Sequence, residues 1–372
     1  MTVPEARSRQ QIVSGARRVV VKVGTNAVTD AAGRLDAKVI ADLSGQIAGM
    51  LRGGLEVTLV SSGAIGAGMA ELNLPARPQT LPLLQATAAV GQGQLMRAFH
   101  DAFQGFAIKV AQILLTRDDF QDRTRYLNIR NTIAALADCH ALPIINENDT
   151  VSVDEIRFGD NDLIAALVAN LADADLLLLL TDVDGYLRGG KLVEVIQRMD
   201  EPALSAAGAA GKRGMGGMRS KLQAAGMVTG AGAAAVIANA RTPDVISRLL
   251  AGESLGTMCM PAARRMSARR RWIGHAARAA GKLHVDGGAA EALRRRGKSL
   301  LPSGVVAVTG RFAKGANVAV VGPDGRQIAR GLSNYSSEQI QQIKGLKSSQ
   351  IAKALGDKPY DEIIHRNNMT LG

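Results

Sequence analysis

Cysteine is almost missing from this chain of 372 residues, and the two present, Cys139 and Cys259, stand far apart. They form neither a disulfide framework nor a zinc-ligand spacing, so two buried thiols are expected. Aromatic residues make up only 3% of the sequence, which leaves Ala, Val, Leu and Ile to fill the core. No run of about 18 uncharged apolar residues occurs, and the opening MTVPEARSRQ lacks the apolar stretch of a secretory signal. A membrane span is therefore not expected, and a cytoplasmic address is. Positive charge, by contrast, is abundant but unevenly placed. From Pro261 onward there are 20 Lys/Arg against 7 Asp/Glu, whereas the residues before it carry 25 against 26. A near-neutral first part joined to a strongly basic second part points to two domains with separate tasks.

From Arg18 to about Ala240 short β-branched or Leu-rich runs alternate with longer helical patterns, as in a parallel sheet with crossover helices. The runs are RRVVVKVG, LEVTLVSSG, FAIKVAQILLT, ALPIINEND, ADLLLLLTD and AAAVIAN. Most are nearly continuous in apolar character, as strands covered on both faces are. Several end in Gly, Ser, Thr, Asn or Asp, and ligands of open α/β sheets bind beyond the carboxyl ends of the strands. After a basic stretch from Arg264 to Gly281 with helical potential, the pattern changes. GVVAVTG, ANVAVVG and RQIARGLS surround the turn Pro323-Asp324-Gly325, which is hairpin chemistry, and SSEQIQQIKG offers a Ser cap to a helix.

The strand endings carry the chemistry. Lys22 stands at the end of VVVKVG, just before Gly24, where backbone amides can cradle phosphate oxygens and a lysine can neutralise them. A lysine that merely snorkels to solvent from a strand end is the ordinary alternative. VSSGAIGAG runs through Ser61, Ser62 and Gly63 into small residues that permit close backbone approach; it can bind an anion, or it can be a tight turn with Ser62 as a helix cap. PIINENDTV and EIRFGDNDLIAAL bring Asn146, Glu147, Asn148, Asp149, Asp160, Asn161 and Asp162 close together in sequence. Asp160 or Asn161 is expected to cap the helix beginning near Leu163, but a single cap needs only one such residue. LLLLLTD ends in Thr181 and Asp182, a place to meet a base or ribose, and GKRGMGGMRSKLQAA leads through glycines into a helix holding Lys221. The DVDG that follows Thr181 lacks the later Glu of a calcium loop and reads as a turn.

In order, VKVGTN, VSSGAIGAG, LLTRDDFQDRTRYLN, INENDTV, FGDNDLIAALVA, LLLLTD and GGMRSKLQAA resemble the glutamate 5-kinases of the amino-acid kinase family. VDGGAAEAL, KSLLPSGVVAVTG and IARGLSNYSS look like the PUA domain that many bacterial members carry. The resemblance implies an α/β fold, a three-layer αβα sandwich around a mainly parallel sheet, plus a small, mostly β PUA domain. The domains expected are 1–262 for the kinase, 263–280 for a basic linker, 281–361 for the PUA domain and 362–372 for a tail.

It implies ATP with Mg2+, L-glutamate as phosphoryl acceptor, γ-glutamyl phosphate as product, and the first step of proline biosynthesis. By motif, Lys22 and Lys221 are the cations on the transferring phosphoryl group, and Asp162 organises them. Ser62, Asp149, Asn161 and Asp160 are the implied glutamate contacts. Thr181, Asp182, Met215, Gly216, Gly217, Met218, Arg219, Ser220 and the two lysines are the implied nucleotide contacts. No metal ligand of the protein's own is implied. The family also implies a homo-oligomer and feedback by L-proline. In two places the chain departs from the family pattern: TDVDGYLRGGKLVEVI is shorter than usual, and Met215 stands where Thr is common.

This chemistry asks for no histidine base. A glutamate side chain, with a pKa near 4.3, is already ionised at neutral pH, and phosphoryl transfer depends on positioning and on cations that offset charge. Two other functions compete: an amino-acid kinase with a different acceptor, and an RNA-binding factor built on the basic PUA-like part. Against the second, only Trp272, Phe312, Tyr335 and Tyr360 offer aromatic stacking there. The run Arg269, Arg270, Arg271 also reads as a solvated linker face.

Overall fold

Uninterrupted Val and Leu runs make strands that need cover on both faces, and that is how the chain folds. The structure is a computed structural model, and it describes residues 8–30, 33–152, 161–199, 217–263, 265–276, 279–357 and 359–371. The chain divides into two units, one of Met1–Asp119 with Thr124–Arg265, the other of Phe120–Arg123 with Met266–Gly372.

All six runs read from the sequence are strands of the first unit: β1 (Arg18–Val23), β2 (Glu56–Ser61), β3 (Lys109–Leu115), β4 (Ala141–Glu147), β5 (Leu176–Thr181) and, after three short strands, β9 (Ala234–Asn239). The short ones are β6 (Leu187–Arg188) and β7 (Lys191–Leu192), which pair with each other, and β8 (Val195–Ile196). β8 and β10 (Thr257–Cys259) join the six long strands in a sheet of order β3-β4-β2-β1-β5-β9-β10-β8, while β6 and β7 form a ribbon of their own. It is parallel from β3 to β9, β10 runs antiparallel to β9, and β8 is parallel to β10. Leu176 to Leu180 are all fully buried, as a central strand demands, while β3 at the sheet edge is only partly covered.

Side chains alternate across a strand, and this sorts the sheet into two faces. Val19, Val21 and Val23 of β1 share one core with Leu176, Leu178 and Leu180 of β5. That core takes in Ile40, Leu43 and Ile47 of α3 (Ala37–Arg52), Leu95, Phe99 and Phe103 of α5 (Leu81–Gln104), and Val245, Ile246 and Leu249 of α10 (Val245–Leu250). Val20 and Lys22 therefore point to the opposite face, where α8 (Asn161–Leu171) packs on β1 and β5 and α9 (Met218–Gly230) packs on α8. Helix, sheet and helix make three layers. The remaining helices of this unit include α1 (Arg9–Ser14), α2 (Thr25–Val28), α4 (Ala64–Glu71), α6 (Arg117–Gln121) and α7 (Arg123–Asp138), the last two meeting the unit boundary.

Helices α4 and α5 approach backbone to backbone. A Cβ on Gly68 would come within 1.8 Å of Thr87 O, and one on Gly91 within 1.8 Å of Ala64 O, so neither position accepts a side chain. This contact seats the SSGAIGAG turn against α5. Ser62 does not cap α4: the cap position belongs to Gly63, whose φ of +111° is a conformation that favours glycine, and no side chain bonds the helix start. Cys259 is buried as expected, but Cys139 is exposed, because it sits in the turn between α7 and β4 and not within the core-facing stripe.

The second unit is built on a five-stranded sheet of order β12-β11-β13-β14-β15, from β11 (Gly281–Val285), β12 (Val305–Thr309), β13 (Asn317–Val321), β14 (Gln327–Leu332) and β15 (Met369–Leu371). The β13-β14 hairpin turns at Pro323-Asp324-Gly325, with Gly325 N donating to Gly322 O at 3.0 Å. Its core holds Leu283, Val318, Val320 and Ile328 with Leu293 of α11 (Gly287–Arg296) and Ile340 and Ile343 of α12 (Ser337–Ile343), whose Ser336 cap forms a capping box. Phe120–Arg123 joins this unit, a grouping that composition did not announce: Trp272 Nε1 donates to Phe120 O at 3.1 Å, and the Arg123 guanidinium lies over the Trp272 ring. Among the described residues, no helix is long and apolar enough to cross a membrane.

Candidate active site

The even face of β1 would be expected to stay apolar under helices, yet it ends in Lys22, only 5% exposed. A buried ammonium needs a partner, and Asp162 at the start of α8 supplies it: Lys22 Nζ lies 2.6 Å from Asp162 Oδ1. Lys221, one turn into α9, places its Nζ 3.3 Å from Asp162 Oδ2, and Ser220 Oγ lies 2.7 Å from the same oxygen. One carboxylate thus holds two lysines drawn from different elements, leaving the group with a net charge of +1.

Burial by itself would raise the Asp162 pKa. The charges of Lys22 and Lys221 and the hydrogen bonds from Lys22 and Ser220 outweigh it and hold the carboxyl down to about 2. For Lys221 burial is the largest influence and acts the other way, lowering its pKa, with the charge of Lys22 adding to that and Asp162 opposing it. Gly24 lies alongside: a Cβ there would stand 3.6 Å from Lys22 Nζ.

A polar network lies at the end of β4. Asn146 Nδ2 donates to Gln92 Oε1 on α5 at 2.7 Å, and Asn161 Nδ2 donates to Asn146 Oδ1 at 3.0 Å. Glu147 N donates to Asn146 Oδ1 at 2.8 Å and also faces Asn161 Oδ1 at 3.3 Å. Ser152 Oγ donates to Glu147 Oε1 at 2.9 Å, and Gln85 Nε2 donates to Ser152 O at 3.3 Å. Asn146, Glu147, Ser152 and Asn161 are all buried.

Asp149, on the turn between them, has its pKa pushed up to about 6 by burial, against the opposing charge of Arg77. Nη2 of that arginine is buried with no hydrogen-bond partner among the described residues. Ser62 is buried, and its amide donates to Val23 O, so it faces the same strand ends; its hydroxyl makes no hydrogen bond among the described residues.

Beyond β5, Thr181 Oγ1 donates to Asp182 Oδ1 at 3.0 Å and Asn26 Nδ2 to Asp182 Oδ2 at 2.9 Å. Burial pushes the Asp182 pKa up, but these hydrogen bonds prevail and keep it below the usual carboxylate range. Arg241 braces α2 by donating to Thr29 O at 2.8 Å. Gly217 occupies the cap position of α9 without a side-chain bond, followed by Met218, exposed Arg219, and Ser220. Gly217 thus opens a 13-residue helix, whose first-turn amides are groups an anion site can use.

Lys22, Asp162, Ser220 and Lys221 meet in one place. Ser62, Asn161 and Asp149 stand at neighbouring strand ends, and Thr181 and Asp182 at the end of β5. Asp160, Met215 and Gly216 lie outside the described residues. Gln85, Gln92, Arg77, Asn26 and Arg241 are not among the residues to which the sequence points. Gln85 and Gln92 are seven residues apart and so share a helix face, the one trace they leave in the sequence.

The pattern of the amino acid kinase family matches residues 17–239, and that of the PUA domain residues 281–355. The chain belongs to the amino acid kinase family. Within it, the chain is similar to glutamate 5-kinases over nearly its full length. It is 48% identical over 362 residues to the glutamate 5-kinase of Caldanaerobacter subterraneus subsp. tengcongensis, covering 95% of this chain and 97% of that one. With the glutamate 5-kinase of Moorella thermoacetica it shares 46% identity over 365 residues, 96% and 97% of the two chains. With that of Geobacter sp. strain M21 it shares 45% over 371 residues, 98% and 100%.

Proposed function

We propose that this protein transfers the terminal phosphoryl group of ATP to the side-chain carboxylate of L-glutamate, giving γ-glutamyl phosphate and ADP, the first step towards proline. The similarity to glutamate 5-kinases over almost the whole chain supports the substrate, and the Lys22–Asp162–Lys221 group supports the chemistry.

Two anions must be brought together. The glutamate carboxylate needs no base, so the work lies in offsetting charge as the phosphoryl group moves. Lys22 from the sheet and Lys221 from α9 would grip the phosphoryl oxygens from two sides. Asp162 aims both ammonium groups before substrate arrives, so little reorganisation accompanies the reaction. Asp149, ionised above about pH 6, would pair with the α-ammonium of glutamate, with Asp160 as a second acidic group for that ammonium, while Ser62 and Asn161 would donate to its carboxylates. Gly217 to Ser220 at the start of α9, together with Met215 and Gly216 before them in the sequence, would receive the phosphates, with Thr181 and Asp182 at the nucleoside.

Magnesium would enter with the nucleotide, held mainly by phosphate oxygens, and would supply further neutralising charge. Asp182, ionised and within electrostatic reach of Lys221, would be an acidic group on the side of the nucleotide where such an ion could be met. The test is to add hydroxylamine to the protein with ATP, magnesium and glutamate. An acyl phosphate is trapped as hydroxamate, with aspartate as control. Hydroxamate with glutamate alone is the expected result; none with glutamate, or as much with aspartate, refutes the proposal.

A further inference from the structure

Helix α5 reaches the β4 end through Gln92, a half-buried side chain that the reaction chemistry leaves unused. An asparagine amide has a donor end and an acceptor end of nearly equal shape, so what it offers a substrate depends on which way it is held. Gln92 presents an acceptor, Oε1, at 2.7 Å from Asn146 Nδ2. That contact draws the donor end of Asn146 toward α5 and leaves Oδ1 turned inward, where it accepts from Glu147 N and from Asn161 Nδ2. Asn161 is fixed in turn: one amide hydrogen goes to Asn146, and Oδ1 faces Glu147 N. The second amide hydrogen of Asn161 has no partner among the described residues, and it is a donor, the group a carboxylate requires. Asn161 immediately precedes Asp162, so the same relay stands next to the carboxylate that aims the two lysines.

We propose that Gln92 is a positioning residue for glutamate, acting through Asn146 to hold the Asn161 amide with its free donor toward the substrate carboxylate. This rests on Asn161 being a glutamate contact. Without an acceptor at position 92, the buried Nδ2 of Asn146 loses its partner, and Asn146 regains a reason to turn away from Asn161. The nucleotide lies with other residues, so only glutamate should notice.

The test compares Gln92→Met, which keeps the length and removes the acceptor, with Gln92→Glu, which keeps an acceptor, and Gln92→Ser, too short to reach. The expected result is a rise of about tenfold in the KM for glutamate in the Met and Ser variants, the scale of one lost hydrogen bond. The KM for ATP and the melting temperature should be unchanged, and the Glu variant should be near the parent. Combined with Asn161→Ala, Gln92→Met should add less than a twofold further rise, because its effect passes through Asn161. The proposal is overturned if glutamate KM is unchanged in both the Met and Ser variants, if ATP KM rises equally, or if the two substitutions multiply independently. An unchanged glutamate KM in Asn161→Ala alone overturns the assignment of Asn161 itself, and this proposal with it.

Discussion

Replacing Asp162 by Asn would leave two ammonium groups in a nearly dry site with no charge between them. Lys22 and Lys221 are only 5% and 7% exposed, so water cannot take over the role of the carboxylate. Removing one partner from a buried charge group costs about 3–5 kcal/mol. For a unit of this size that is a fall of roughly 6–20 °C in melting temperature. Part of the cost is relieved by deprotonation of Lys221, whose pKa is already lowered by burial and by Lys22 and would lose the opposing pull of Asp162.

Catalysis should suffer separately. The net charge of the group rises from +1 toward +2 to the extent that Lys221 keeps its proton and in no case falls, so ATP should bind at least as well, while neither amine is aimed and kcat falls by about 10²–10³-fold. ATP should therefore recover more melting temperature in the variant than in the parent. Thermal melts with and without ATP, together with steady-state kinetics in both substrates, measure all of this. A variant with kcat within threefold of the parent and an unshifted melting temperature would refute the role given to Asp162. In the parent, the Asp162 carboxyl is held at about 2, below its unfolded value near 3.9. Its stabilising contribution is present above that unfolded value and is lost as pH falls toward 2, so it should not appear in activity profiles between pH 5 and 8.

Lys22→Ala and Lys221→Ala should each lower kcat by about 100-fold or more with little change in glutamate KM, and Lys22→Arg should not restore it, since a planar fork replaces a compact ammonium. Near-normal turnover in either alanine variant would contradict the assignment. Glutamate KM should climb as pH drops through about 6, where Asp149 takes up a proton and stops attracting an ammonium, and Asp149→Asn should abolish that pH dependence. Arg77→Met should shift the climb to higher pH, because the Arg77 charge opposes the rise of the Asp149 pKa; a profile moving to lower pH would show the coupling to be misread. Gly91→Ala should destabilise by about 1–3 kcal/mol or more, the methyl meeting Ala64 O at 1.8 Å, and chemical denaturation at parental stability would contradict the close packing of α4 on α5.

Much of this arrangement was legible in the residues. Strands buried on both faces carry no polar interruption, so VVVKV, LLLLL and AAVIA announced themselves, and the interruption at Lys22 stood out for the same reason. Asn161 and Asp162 were visible as polar residues opening a helix. Cys139 misled because thiols are usually buried, whereas its place in a turn after α7 is a matter of helix length. The antiparallel β10, with only three residues, is too short to show a period. Gln92 was hidden because a glutamine on a helix is ordinarily solvated, and only the fold places the Asn146 amide opposite it.

By itself the sequence determined which stretches would be strands, which strand ends would be polar, and that lysines and carboxamides would be available there. Only the tertiary structure decided that Lys22, Asp162 and Lys221 share one carboxylate and that Gln92 reaches Asn146. Coulomb and hydrogen-bond forces act over a few ångströms and gain strength with burial. Residues that far apart in the chain acquire a common chemistry only when a parallel register and the packing of α9 on α8 bring them together out of water.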